Sequence, residues 1–137
     1  MSQENVEVVK WLVDAFNRRD LTGFASKLHE DVEWVPGLIT RAEAAPADEF
    51  RGVEGFWRWV AATDEAMSVF RVEAEAYRDM GDDRVLLLGV IVGRGRASGA
   101  EVRAELGQVF TFGDGQVVSY RGYLKRADAL EAVGLRE

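Results

Sequence analysis

The apolar residues of this chain change their spacing partway along it, and that change limits the possible folds more than any other feature. Up to Met67 they recur every three or four residues; from Phe70 to Leu124 most of them alternate in twos. Over residues 3–19, Val6, Val9, Leu12, Val13 and Phe16 make one helical stripe, which Val8 and Trp11 widen, with Ser2 placed to cap it. Asp20 caps a second, shorter helix whose inward face is Leu21, Phe24 and Leu28. Residues 31–35 alternate and stop at Pro36-Gly37, which predicts a short strand. Residues 38–49 have no period and read as a loop long enough to form a flap. A third helix is predicted over 53–67, with Val53, Phe56, Trp57 and Val60 on one face.

Four strands follow. Phe70, Val72, Ala74 and Ala76 alternate with polar partners, and Gly81-Asp82-Asp83 makes a turn. Residues 84–96 are apolar on both faces from Val85 to Val92, so one side covers the helices and the other also needs cover. Residues 101–112 alternate again, Gly113-Asp114-Gly115 is a hairpin signal, and 117–124 return. A closing helix over 125–133 ends at Gly134. Helices first and an antiparallel meander second give an α+β domain spanning 1–137. Of the 14 glycines, eight lie between Gly89 and Gly122, as a strongly bent sheet requires.

Composition removes whole classes of chemistry. With no cysteine there is no disulfide, thiolate metal site or cysteine nucleophile, and a single histidine, His29, leaves no zinc site built on several histidines. His29 reads as an exposed turn residue with no serine or acid placed beside it for a triad. Seventeen Lys+Arg against 24 Asp+Glu, a net charge of -7, do not make a nucleic-acid surface. No apolar run is long enough to cross a bilayer, and the first residues lack the pattern of a signal peptide, so a cytoplasmic protein without metal or cofactor is the expectation. The run Gly93-Arg94-Gly95-Arg96 does not sit between a strand and a helix start, and reads as a strand end and turn.

Particular stretches resemble a known family. EVVKWLVDAFNRRD at 7–20, DVEW at 31–34, FRGVEG at 50–55, GDGQV at 113–117 and YLKRADAL at 123–130 are similar to SnoaL-like proteins of the nuclear transport factor 2-like, ketosteroid isomerase-like superfamily. The resemblance implies a cone-shaped α+β barrel, an apolar cavity between helices and sheet, and a homodimer packed through the sheet. It also implies where acids and bases stand in relatives. Those positions fall here on Trp34 in the first strand, Gln108 in the third long strand and Gly122 in the last. None of the three can abstract a proton from carbon, and the neighbouring Glu33 points the other way by strand alternation. An Asp-Arg-Asp set like that of the epoxide-hydrolase branch does not align onto inward positions.

Candidate site residues follow from polarity on an apolar face. Gln108 interrupts Leu106, Phe110 and Phe112 and must hydrogen-bond a ligand or its neighbours. Trp34, Trp57 and Phe110 are expected to line the cavity, with Trp59 turned to an edge or a partner. Tyr120 can donate to a carbonyl or oxyanion, and Asp14 lies near the inward stripe of the first helix. Arg121 and Tyr123 share the other face and suit a homodimer seam. Three functions remain open at this point. One is binding of a small apolar molecule with catalysis unproven. Another is acid–base catalysis of the isomerase, cyclase or epoxide hydrolase type, through Asp14 or an acid of the 38–49 loop. The third is a dimerisation module without a ligand.

Overall fold

A computed structural model describes residues 2–37 and 50–135; the expected flap over 38–49 lies outside them. Helix α1 (Ser2–Asn17) ends where Arg19 takes a left-handed φ of 64°, and the Asp20 N–H returns to the Ala15 carbonyl at 2.8 Å. Asp20 then caps α2 (Leu21–Ala25), its carboxylate accepting from the Gly23 N–H at 3.0 Å. This helix is shorter than its apolar spacing predicts. Leu28 is the first residue of β1 (Leu28–Val35), so the strand starts three residues before the alternation becomes visible. His29 therefore sits in a strand and is half-buried, its Nδ1 accepting from the Asp31 N–H at 3.0 Å.

Helix α3 (Gly52–Ala66) starts at a glycine with φ 75°, and a Cβ on Gly55 would collide with the Phe50 backbone. Strands β2 (Met67–Asp79), β3 (Arg84–Gly95), β4 (Glu101–Gly113) and β5 (Gln116–Tyr123) form the meander, and α4 (Arg126–Ala132) closes the chain. The β4–β5 hairpin turns on Asp114 and Gly115, both at positive φ, the type I′ geometry that matches strand twist.

The five strands lie in the order β1-β5-β4-β3-β2. The first pairs parallel with β5 and the other pairs are antiparallel, so the sheet is mixed and stays open, with β1 and β2 at its edges. Helices α1 and α3 cover its inner face, where the aromatic core lies. Helix α4 covers part of the outer face: Ala129 sits where a Cβ on Gly107 would stand, and Leu86, Val109, Leu130 and Val133 close around it. The β2 edge is held at Val72 by the Asn17 carboxamide, which donates to the Val72 carbonyl at 2.7 Å and accepts from its N–H at 2.9 Å. No helix among the described residues is long and apolar enough to cross a membrane.

Candidate functional site

The site is built on the inner face of β1, β5 and β4, where strand register sets three side chains in a row. Trp34 is opposite Tyr120, and Tyr120 is opposite Phe110. The Trp34 and Tyr120 rings stack with centroids 4.0 Å apart at 19°, and Tyr120 meets Phe110 at 5.2 Å. The next row pairs Gln108 with Gly122. With no side chain on Gly122, the Gln108 carboxamide reaches diagonally and its Nε2 donates to the Tyr120 hydroxyl at 2.7 Å. Both residues are buried. A Cβ on Gly122 would lie 2.8 Å from that hydroxyl and 2.7 Å from the Gly37 nitrogen. The space beside Gly122 is thus filled by the tyrosine hydroxyl and the Gly37 backbone.

Helices supply the opposite wall. Phe16 of α1, Phe24 of α2 and Trp59 of α3 face the sheet, with Trp34 packed edge-on to Phe24 and Phe56 and tilted against Trp59 at 5.4 Å. Between the walls lies a cavity lined mainly by Trp34, Trp59, Ile91, Gln108, Phe110 and Tyr120. Cavity and mouth together hold about 510 Å³ of open space, of which about 30 Å³ can take the centre of a water molecule. That narrower figure takes only a couple of waters, so a ring-sized ligand has to occupy the open mouth as well. The aromatic side chains fill most of the cone.

The polar character of this lining comes from few atoms. Gln108 and Tyr120 bring a carboxamide and a hydroxyl to it, and among the described residues the Trp34 Nε1–H is buried without a hydrogen-bond partner. Burial pushes the Tyr120 phenol far above its ordinary value, and the hydrogen bond from Gln108 opposes that only in part. The hydroxyl is therefore a donor at neutral pH. No carboxylate lines the cavity among the described residues. Asp14 is not the pocket acid that its position near the inward stripe suggested. Its side chain is 72% exposed on the outer side of α1 and pairs with Arg18. No group of three or more His, Asp or Glu is arranged to hold a metal among the described residues.

Trp34, Gln108, Phe110 and Tyr120 come together as expected; Trp57 does not join them. It is 39% exposed, whereas Trp59 is 5% exposed and lines the cavity. The buried face of α3 is Phe56, Trp59, Val60 and Thr63, and two residues of rotation carry Trp57 off it. The spacing 56, 59, 60, 63 is compatible with Trp59 on this face, just as 53, 56, 57, 60 is with Trp57. On the outer face Arg121 is exposed and pairs with Glu33 at 2.9 Å, while Tyr123 lies against the α4 cluster.

Comparison with known proteins follows the same lines. Residues 8–120 match the family model described as a SnoaL-like domain. No curated protein is similar in sequence. Among solved structures, an NTF2-like protein of unknown function from Burkholderia pseudomallei K96243 superposes with a TM-score of 0.74 at 19% identity, covering 95% of this chain and 97% of that one. An NTF2-like protein from Burkholderia xenovorans LB400 gives 0.72 at 23% identity, covering 96% and 97%. TerC, co-crystallised with polyporic acid, gives 0.71 at 20% identity, covering 94% and 97%. At such identities the likeness establishes the fold.

Proposed function

The chain belongs to the SnoaL-like domain family, and from that premise we propose that it binds a small, mostly apolar molecule in the cavity between Trp34, Trp59 and Gln108. One observation carries the reading: an aromatic-walled cavity whose polar side chains are Gln108 and Tyr120. Ligand pockets have this composition, apolar walls with a few convergent polar groups. Proton abstraction needs a base within reach of substrate, and Tyr120 holds its proton too firmly to serve as one. Among the described residues no base lines the cavity, which favours binding over isomerase, cyclase or epoxide hydrolase chemistry; the acids of residues 38–49 lie outside them. That a fold relative, TerC, is crystallised with polyporic acid is in keeping with it.

The test is a thermal-shift titration with toluene, a one-ring apolar probe. The wild-type midpoint is expected to rise with concentration. Ile91→Phe, which places a ring into the lined space, should abolish the rise while keeping the native circular dichroism spectrum. No rise in the wild type, or a rise that survives Ile91→Phe, contradicts the reading.

A second reading concerns the outer sheet face, where Val90 and Val92 stay half-exposed beyond α4. Register puts Arg71, Val92 and Arg103 in one row and Glu73, Val90 and Glu105 in the next. A positive row beside a negative row, each centred on a valine, is complementary to itself after a twofold rotation. We infer a homodimer of this chain centred on Val90 and Val92, in place of a seam at Arg121 and Tyr123. Light scattering should give twice 15.3 kDa for the wild type and a monomer for Val90→Asp/Val92→Asp. A monomeric wild type refutes it.

A further inference from the structure

Hydrogen-bond accounting at the Gln108–Tyr120 pair specifies what kind of ligand group the cavity accepts, given that the cavity binds a ligand at all. The amide has two N–H donors and a carbonyl acceptor; the phenol has one donor and acceptor capacity. One bond joins them, from Gln108 Nε2 to Tyr120 Oη at 2.7 Å. Among the described residues the Gln108 Oε1 then accepts nothing, and neither the second Nε2 hydrogen nor the Tyr120 hydrogen has an acceptor. Exchanging the amide oxygen and nitrogen leaves the same kind of remainder, two free donors on Nε2 and a free acceptor on the phenol oxygen. Either way the pair presents two donors and one acceptor side by side on an otherwise apolar wall.

Buried polar groups carry a free-energy cost unless they are matched. A lone carbonyl or ether would satisfy donors and strand the acceptor, and a hydrocarbon would strand all three. A phenolate or carboxylate brings no donor, and no cation lines the cavity among the described residues to offset its charge. A neutral hydroxyl, with one hydrogen and two lone pairs, satisfies all three at once. The stacked Trp34 and Tyr120 and the Trp59 ring favour a planar body behind that hydroxyl. We propose that the Gln108–Tyr120 pair recognises the neutral hydroxyl of a phenol or enol carried on a flat apolar ring.

Calorimetric titration with three one-ring probes tests this on the intact chain. Phenol both donates and accepts, anisole only accepts, and toluene does neither. Phenol is expected to bind the wild type about tenfold more tightly than anisole, the gain of the one hydrogen bond it donates to the stranded acceptor, and more tightly still than toluene. In Gln108→Leu/Tyr120→Phe the three probes should bind alike. Toluene binding with no preference for phenol overturns the inference and leaves the pocket reading standing. A preference that persists in the double variant overturns the assignment to this pair. If no probe binds, both readings fail together.

Discussion

Gln108 and Tyr120 are joined by a buried 2.7 Å hydrogen bond across a gap that exists because Gly122, the cross-strand partner of Gln108, has no side chain. The pair is the polar centre of the cavity and also part of the core, so its chemistry can be read in stability as well as in binding. Gln108→Leu leaves the Tyr120 hydroxyl without its partner and should destabilise the fold by about 1–3 kcal/mol. Adding Tyr120→Phe removes the stranded group, so the double variant should recover most of that loss. Urea unfolding of the two single variants and the double provides the coupling energy.

Gly122→Ala should be more damaging than an ordinary strand substitution. Its methyl group would stand 2.7 Å from the Gly37 nitrogen and 2.8 Å from the Tyr120 hydroxyl, both closer than van der Waals contact allows. We expect a loss of about 1–3 kcal/mol, as for other overpacked sites, visible as a lowered urea midpoint.

Stability in alkali should carry the signature of Tyr120. Its folded phenol is raised by burial, while in the unfolded chain it ionises near about 10. The stabilisation is complete below that pH and is lost as pH rises through and above it toward the folded value. The stability gap between wild type and Tyr120→Phe should therefore narrow by about 1.4 kcal/mol per pH unit above about 10. Tyr77, also raised by burial, is present in both proteins and cancels. A gap independent of pH from 8 to about 11.5 contradicts the assignment.

Asn17 should matter although it touches no ligand. Its carboxamide satisfies both backbone groups of Val72, a residue that lines the cavity from the edge strand. Asn17→Ala should cost about 1–3 kcal/mol, and amide exchange at Val72 should accelerate more than at Ile91, its partner in the sheet.

The sequence carried the element order because its periods are strong: four long strands and the type I′ turn at Asp114-Gly115 need no tertiary information to recognise. It carried the inward placement of Trp34, Gln108, Phe110 and Tyr120 for the same reason, since strand alternation fixes a face. Helix α3 was less legible. Its period of 3.6 lets a stripe drawn through Phe56 and Val60 take in either Trp57 or Trp59, and only the packing against Phe16 and Trp34 chooses Trp59. Asp14 was misleading in the same way, one position off the buried face of α1. The start of β1 at Leu28 was hidden because the bulged pairing between Leu28 and Glu33 breaks the alternation. The hydrogen bond between Gln108 and Tyr120 was not legible at all, because it depends on the β4–β5 register that puts Gly122 opposite Gln108.

The chain's four tryptophans allow the central claim to be tested in one spectrum. Each gives one indole N–H resonance, assignable by replacing each tryptophan with phenylalanine in turn. Trp34 and Trp59 line the cavity, whereas Trp11 and Trp57 are 37% and 39% exposed elsewhere on the helices. On titration with phenol the account predicts that the Trp34 and Trp59 resonances move together and saturate while those of Trp11 and Trp57 stay in place. Movement of Trp11 or Trp57 with Trp34 and Trp59 unchanged, or no movement at saturating phenol, contradicts it.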